Sequence, residues 1–165
     1  MRRANLGKAW EACLRVQHDR YRRDRLAVVF QTPPPVKVLS DVRGGRFQAC
    51  FDGAGPPDFA GVLCGTGRAV VFDAKHTSQA KFPLSMIKRH QAMDLTAVGP
   101  LGYAFIALRM GRAAWVLPWD GGIGDQFWDK TAARSLSADD CDRIGFRMRE
   151  LGDWFGVLPA TVREA

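Results

Sequence analysis

The segment from Pro57 to Lys75 constrains the fold more than any other part of this chain. Two apolar runs flank Gly65-Thr66-Gly67, a pattern typical of a β-hairpin. If the hairpin turns between Gly65 and Thr66, Asp58 falls opposite Asp73, and directly opposed Cβ atoms lie roughly 4.5–5.5 Å apart. Lys75 is two residues beyond Asp73 and therefore lies on the same face of its strand. The spacing predicts that one short hairpin brings two carboxylates and one ammonium group together.

This grouping has a chemical use. Two carboxylates at such a separation repel each other, and the pKa of one would rise unless a cation lay between them. Mg²⁺ or Mn²⁺ suits the pair, because hard divalent cations prefer oxygen ligands and often combine one or two carboxylates with substrate phosphate. Such a cation can activate water and neutralise charge on a phosphodiester, with Lys75 stabilising developing charge or helping to deprotonate the water. The residues leave two interpretations open, a metal-dependent nuclease and a strand-end salt bridge on a solvated face.

Charge is distributed unevenly along the chain, whose net charge is +7. Residues 1–25 carry eight Lys or Arg against three acidic residues, and residues 26–99 carry eight against five. From residue 100 onward, eight basic residues face nine acidic ones. The positive excess therefore lies around the predicted site, which favours a polyanionic partner, with nucleic acid first.

Length and composition narrow the class of protein. A chain of 165 residues with 47% apolar residues predicts a single globular domain, residues 1–165. The sequence has no long apolar run and no basic-then-apolar leader, so we expect neither a membrane span nor a signal peptide. Four scattered cysteines without a C-x-x-C pair make zinc improbable and favour reduced thiols in a cytoplasm.

The remaining elements follow from periodicity and turn signals. Helical spacing of apolar residues predicts helices over residues 4–23 and about 84–95. A capping box at residues 137–140 predicts a third helix that continues to about Phe155, with Ile144, Met148 and Leu151 facing inward. We expect strands over residues 26–30, 36–42, 46–51, 102–110 and 113–118. Residues 119–136 are expected to form a loop with a short helix. Gly44-Gly45 is expected to form the turn of a hairpin over residues 36–56. Phe47 and Phe51 lie in this hairpin, and we expect them to pack in the core rather than to contact a partner subunit or bases.

Several short motifs, taken together, resemble one known family. They are Asn5-Leu6-Gly7 with Glu11, Thr32-Pro33-Pro34-Pro35-Val36, Asp58-Phe59-Ala60-Gly61, Phe72-Asp73-Ala74-Lys75-His76-Thr77, Phe82-Pro83-Leu84 and His90-Gln91. In this order they resemble RecU-type Holliday junction resolvases of bacteria and phages, within the PD-(D/E)xK nuclease superfamily. The resemblance spans about residues 5–110. It implies an α/β (α+β) fold like that of restriction endonucleases, with a mixed central sheet flanked by helices.

The resemblance also implies roles for individual residues. Asp58 and Asp73 would hold Mg²⁺ or Mn²⁺, and Lys75 would serve catalysis. Glu11 would complete the catalytic site from the first helix, and Gln91 would support it or contact the phosphate. The 36–56 hairpin would be an inserted stalk that enters the centre of a four-way junction. The family further implies a cytoplasmic homodimer, in a bacterial cell or a phage-infected host, that acts in recombination and repair without a small-molecule cofactor.

Contacts to DNA are predicted on polar residues around these motifs. They are Arg2, Arg3, Lys8, Arg15, Arg43, Arg46, Thr77, Lys81, Lys88 and Arg89. Two rival functions stay open beside junction resolution. One is a nuclease of the same fold that acts on ends, flaps or specific duplex sites, and the other is a junction-binding protein that does not cut.

Overall fold

A computed structural model of the protein describes residues 3–42 and 46–163. Within this part of the chain, the main sheet has six strands in the spatial order β1-β4-β5-β7-β8-β10. Their ranges are β1 Ala27–Gln31, β4 Phe59–Leu63, β5 Ala69–Thr77, β7 Gly102–Met110, β8 Ala113–Pro118 and β10 Phe146–Arg147. Strands β5 and β7 pair in parallel and the other neighbours pair antiparallel. The mixed central sheet is therefore as predicted.

Helices cover both faces of this sheet. Helix α1 (Arg3–Arg23) lies on one face, where Trp10, Leu14 and Tyr21 join a buried cluster with β1, β4 and β5. Helix α2 (Arg89–Val98) packs on the other face through Ala92 and Leu95. Shorter helices follow: α3 Gly124–Trp128, α4 Ala138–Ile144 and α5 Ala160–Arg163. No helix in the described ranges is both long and apolar enough to cross a membrane.

Two small sheets accompany the main one. Among the described residues, strands β2 (Val36–Val42) and β3 (Arg46–Phe51) pair only with each other, in antiparallel orientation. Strands β6 (Phe82–Pro83) and β9 (Ser135–Leu136) form the second pair. The side chains of Phe47 and Phe51 are 61% and 75% exposed, so the prediction that they pack in the core is wrong. The hairpin stands apart from the core and keeps an apolar surface.

The hairpin at the centre of the sheet has the predicted register. Phe59 pairs with Phe72 and Ala60 with Val71, so the next pair outward is Asp58 with Asp73. Because side chains alternate along a strand, Phe72 points into the cluster under α1 and Asp73 points to the opposite face. The two acidic residues therefore lie on the face that α2 covers.

Two helix predictions need correction. The second helix begins at Arg89, not near residue 84, because Leu84–Met86 forms a single 3₁₀ turn. The last predicted helix, to Phe155, ends at Ile144, although Ser137 and Asp140 do form the expected capping box. Gly145 is the reason, since a Cβ there would lie 2.5 Å from the Val116 carbonyl oxygen. Only glycine lets the chain approach β8 so closely and continue as the edge strand β10.

The segment after β10 folds back onto α1 and closes the core. The indole N–H of Trp154 donates to Nε2 of buried His18 at 3.1 Å. The Tyr21 hydroxyl donates to Asp153 at 2.6 Å and accepts from the Phe155 amide at 3.2 Å. Burial lowers the pKa of His18 to about 4, so the imidazole is neutral and accepts the indole proton.

We expect Trp154→Phe to destabilise the protein by roughly 1–3 kcal/mol, because it leaves His18 Nε2 buried without a donor. Denaturant unfolding at neutral pH measures this change. Trp128→Phe is the matched control, since the Trp128 indole donates to Thr96 at 3.3 Å but the side chain is 43% exposed. Equal losses in the two variants would show that the Trp154–His18 hydrogen bond contributes little.

Candidate active site

The candidate site lies where the β4–β5 hairpin meets the first turn of α2. Asp73, on β5, is fully buried, and Asp58 precedes β4 directly opposite it. The Asp58 carboxylate accepts the Ala74 amide at 2.8 Å, and the Asp58 amide donates to Asp73 Oδ1 at 3.4 Å. The hairpin backbone thus fixes both acidic residues relative to each other.

Lys75 and Gln91 tie Asp73 to α2. The Lys75 ammonium forms an ion pair with Asp73 Oδ2 and donates to Gln91 Oε1 at 3.1 Å. The Gln91 side-chain amide donates to Asp73 Oδ1 at 2.9 Å. Gln91 Oε1 also accepts the Lys88 amide at 3.2 Å, which anchors the side chain to the start of its own helix. The predicted residues Asp58, Asp73, Lys75 and Gln91 therefore form one connected polar cluster.

The electrostatics of the acidic pair are unusual. Burial, together with the nearby charge of Asp73, raises the pKa of Asp58 to about 7. The Ala74 amide and the Lys75 ammonium oppose this rise without cancelling it. A cation between the two carboxylates would oppose this rise in the pKa of Asp58, because its positive charge favours the ionised carboxylate.

The donor set fits a hard divalent cation. Asp73 Oδ2 is buried and, apart from the ion pair with Lys75, accepts no hydrogen bond from any residue that the structure describes. Two carboxylates suffice for Mg²⁺, which usually keeps waters and takes further oxygens from substrate phosphate. Within residues 3–42 and 46–163, no group of three His, Cys, Asp or Glu side chains is close enough to share a metal ion. Asp58 and Asp73 are therefore the residues that could hold the metal.

Glu11 does not contact this acidic pair. Its carboxylate accepts a hydrogen bond from Gln31 at 2.9 Å, and Gln31 Oε1 accepts one from Arg15 at 2.7 Å. Gln31 pairs with Phe59, the residue after Asp58, and therefore lies on the face of the sheet that α1 covers. The hydrogen bond from Gln31 holds Glu11 on this face, whereas the acidic pair lies on the other. Sequence reasoning missed Gln31 as the partner of Glu11. The alternation of side chains along β1, with Ala27 and Val29 facing the core, would have placed Gln31 on the same face, under α1.

The predicted DNA contacts fall into three groups. Lys8, Arg15, Lys81, Lys88 and Arg89 are exposed. Thr77 is buried and its hydroxyl accepts the Gln79 amide at 3.1 Å, which shapes the loop after β5. Arg2 and Arg43 lie outside the described residues, as do the side chains of Arg3 and Arg46.

Comparisons with known proteins agree with this architecture. Residues 5–148 match the model of the family described as RecU, Recombination protein U. A Holliday junction resolvase RecU from Leuconostoc mesenteroides is 29% identical over 121 residues, which are 68% of this chain and 58% of that protein. The chain thus spans less than two thirds of the length of that relative. The solved structure of Hjc, a Holliday junction resolvase from Archaeoglobus fulgidus, matches with a TM-score of 0.51 and 13% identity, over 93% of this chain and 98% of Hjc.

The raised pKa of Asp58 leads to a prediction about metal-free protein. A carboxyl whose pKa is higher in the folded state stabilises the fold below its unfolded pKa near 4, and that stability is lost as the pH rises through about 7. The loss is at most about 1.4 kcal/mol per pH unit. We therefore expect Asp58→Asn to be more stable than wild type at pH 8, by a margin that shrinks toward pH 5.

Thermal unfolding in chelator at both pH values tests this expectation. Asp94→Asn is the control, because Asp94 is an exposed carboxylate on α2 outside the cluster. If Asp58→Asn differed from wild type by the same amount at pH 5 and pH 8, the raised pKa of Asp58 would be refuted.

Proposed function

The chain belongs to the RecU, Recombination protein U, family, and from this premise we propose that it is an endonuclease that resolves four-way DNA junctions. The observation that carries the proposal is the opposed carboxylate pair, with a lysine and a glutamine on the same face of the sheet. Pure DNA binding does not require carboxylates beside phosphates, so this pair favours cutting over a purely architectural role. The RecU relative from Leuconostoc mesenteroides, described as a Holliday junction resolvase, supports a junction as the substrate.

In this proposal each residue of the cluster has one task. Asp58 and Asp73 hold Mg²⁺ or Mn²⁺, which when bound supplies charge neutralisation for the phosphodiester and activation of water. Lys75 stabilises the negative charge that develops on the phosphate, since its ammonium is the cation in the cluster and its side chain is 12% exposed. Gln91 holds the Asp73 carboxylate in its rotamer through the 2.9 Å hydrogen bond. Glu11 lies outside the cluster, and in this proposal it completes the catalytic site from α1, where its carboxylate accepts a hydrogen bond from Gln31.

The fully buried position of Asp73 supports its role over that of a surface ion pair. A buried carboxylate is costly to keep ionised even with the partners that Asp73 has, which are the Lys75 ammonium, the Gln91 side-chain amide and, at 3.4 Å, the Asp58 backbone amide. Ion pairs of this kind contribute little net stability. Retaining such a group is easier to explain by function than by folding. The same argument disfavours the strand-end salt bridge as a full account of the cluster.

The 36–56 hairpin is proposed as the element that recognises the junction. Within the part of the chain that the structure describes, its two strands pair only with each other. Four of its apolar residues are more than half exposed: Val38, Leu39, Phe47 and Phe51. Exposed apolar side chains of this kind mark a surface that binds a partner. A homodimer related by a two-fold axis would supply two equivalent sites for paired nicks, with a hairpin from each subunit near the junction centre.

Asp73→Asn tests the catalytic assignment. The amide retains the volume of the side chain but loses the negative charge, so we expect nicking of a four-way junction in Mg²⁺ to fall by at least about 10²-fold. Junction affinity, measured in chelator, should change less than about threefold because backbone phosphate contacts supply most of it. Asp94→Asn controls for loss of an acidic group on that side of the fold. An equal loss of binding and nicking in Asp73→Asn would contradict the assignment.

The hairpin has its own test. We expect the double substitution Phe47→Ser with Phe51→Ser to reduce the ratio of junction affinity to duplex affinity by about fivefold or more, since base–aromatic stacking contributes roughly 1–3 kcal/mol per base. Phe30→Ser is the control, because Phe30 is 60% exposed on β1, outside the hairpin. An unchanged ratio in the double variant would refute junction recognition by these side chains.

A further inference from the structure

A cross-strand row connects the candidate site to the far edge of the sheet. Lys75 pairs with Leu108, Leu108 with Trp115, and Trp115 with Arg147. Directly paired residues lie on the same face of a sheet, and neighbouring strands are about 4.8 Å apart. Arg147 therefore lies three strands from Lys75, roughly 14 Å away, on the face that carries the carboxylate pair.

Arg147 is held on a rigid platform. Its guanidinium carbon lies 5.3 Å from the centre of the Trp115 ring. Trp115 is 1% exposed and its indole N–H donates to Asp142 at 2.7 Å, so the ring cannot turn freely. A planar guanidinium that stacks on a fixed ring is partly preorganised, which reduces the entropy that it loses on binding an anion.

The platform borders a cavity of about 490 Å³ at the ends of β5 and β7. Arg112, on the turn between β7 and β8, lines this cavity together with Arg147, and Ser78 and Gln79 close its other side. A second cavity, of about 330 Å³, is lined by His76 and Thr77 and shares Ser78 and Gln79 with the first. The two cavities thus flank one loop that begins three residues after Lys75.

The charges at this cavity are unbalanced. Neither Arg112 nor Arg147 forms an ion pair with any residue that the structure describes. In contrast, Arg143 forms an ion pair with Asp140, and both residues lie on helix α4 near this cavity. None of the described residues that line this cavity is acidic. Asp142 and Arg147 both line a neighbouring cavity along β10. No ion pair joins them among the described residues, and the Asp142 carboxylate accepts the indole N–H of Trp115. Two cations without carboxylate partners at one cavity point to an anion from outside the chain.

We propose that Arg112 and Arg147 form a second phosphate-binding site, which engages the same duplex arm whose scissile phosphate lies at Asp73 and Lys75. The proposal rests on the function proposed above. The separation of roughly 14 Å is close to the major-groove width of about 12 Å, so phosphates on either side of the groove can reach the two sites together. The second site would set the angle at which an arm enters the nuclease.

The test measures how binding depends on salt. Affinities of Arg112→Gln, Arg147→Gln and the double variant for a four-way junction and for a linear duplex are measured in chelator, at several salt concentrations. Each lost phosphate contact should reduce the slope of log affinity against log salt by about one, and the double variant should lose about two, on both DNAs. Arg147→Lys, which keeps the charge, should retain the wild-type slope.

Arg68→Gln is the matched control, because Arg68 is an exposed arginine at the opposite end of β5 whose Nη1 donates to the Thr161 carbonyl. Its slope should equal that of wild type. Unchanged slopes in Arg112→Gln and Arg147→Gln, or an equal drop in Arg68→Gln, would overturn the second site. Nicking by wild type in Mg²⁺ is measured in parallel. Its absence would reject the proposed nuclease while the slopes still decide whether these arginines bind phosphate.

Discussion

The placement of two carboxylates, Asp58 and Asp73, opposite each other is the constraint around which the candidate site is built. The β4–β5 register holds the two carboxylates opposite each other, and burial of Asp73 removes the water that would otherwise screen them. The Ala74 amide, the Lys75 ammonium and the Gln91 amide each satisfy part of the negative charge, yet the pKa of Asp58 still rises to about 7. An arrangement of this kind is poor for stability and well suited to binding a divalent cation.

The aromatic core keeps that arrangement rigid. Phe59 and Phe72 follow and precede the two acidic residues in sequence, stack on each other with ring centres 5.0 Å apart, and lie on the opposite face of the sheet. His18 meets both rings edge-on, and Trp154 packs on Phe72. The segment that folds back after β10 therefore packs on the face of the sheet opposite the carboxylates. There it supports the strands β4 and β5, whose register sets the separation of Asp58 and Asp73. Trp154 lies outside residues 5–148, which match the family model.

Sequence reasoning succeeded where local chemistry decides the structure. The Gly65-Thr66-Gly67 turn was enough to predict the register, and alternation then placed Lys75 correctly. It failed where distant contacts decide. The spacing of Ile144 and Met148 matches a helix, but the approach of Gly145 to the Val116 carbonyl directs the chain into β10 instead. Periodicity does not reveal the order of strands in a sheet. The hydrogen bond between Gln31 and Glu11, and the position of Arg147 in the same cross-strand row as Lys75, both depend on that order.

One measurement tests the central claim that the opposed carboxylates form a metal-dependent site for cutting junctions. A labelled four-way junction and the matching linear duplex are incubated with the protein in Mg²⁺, in Mn²⁺ and in chelator, and the products are resolved at nucleotide resolution. The account predicts paired symmetric nicks in the junction, only with metal, and little cutting of the duplex. Tight binding of the junction without nicks in either metal would contradict it and would favour an architectural protein.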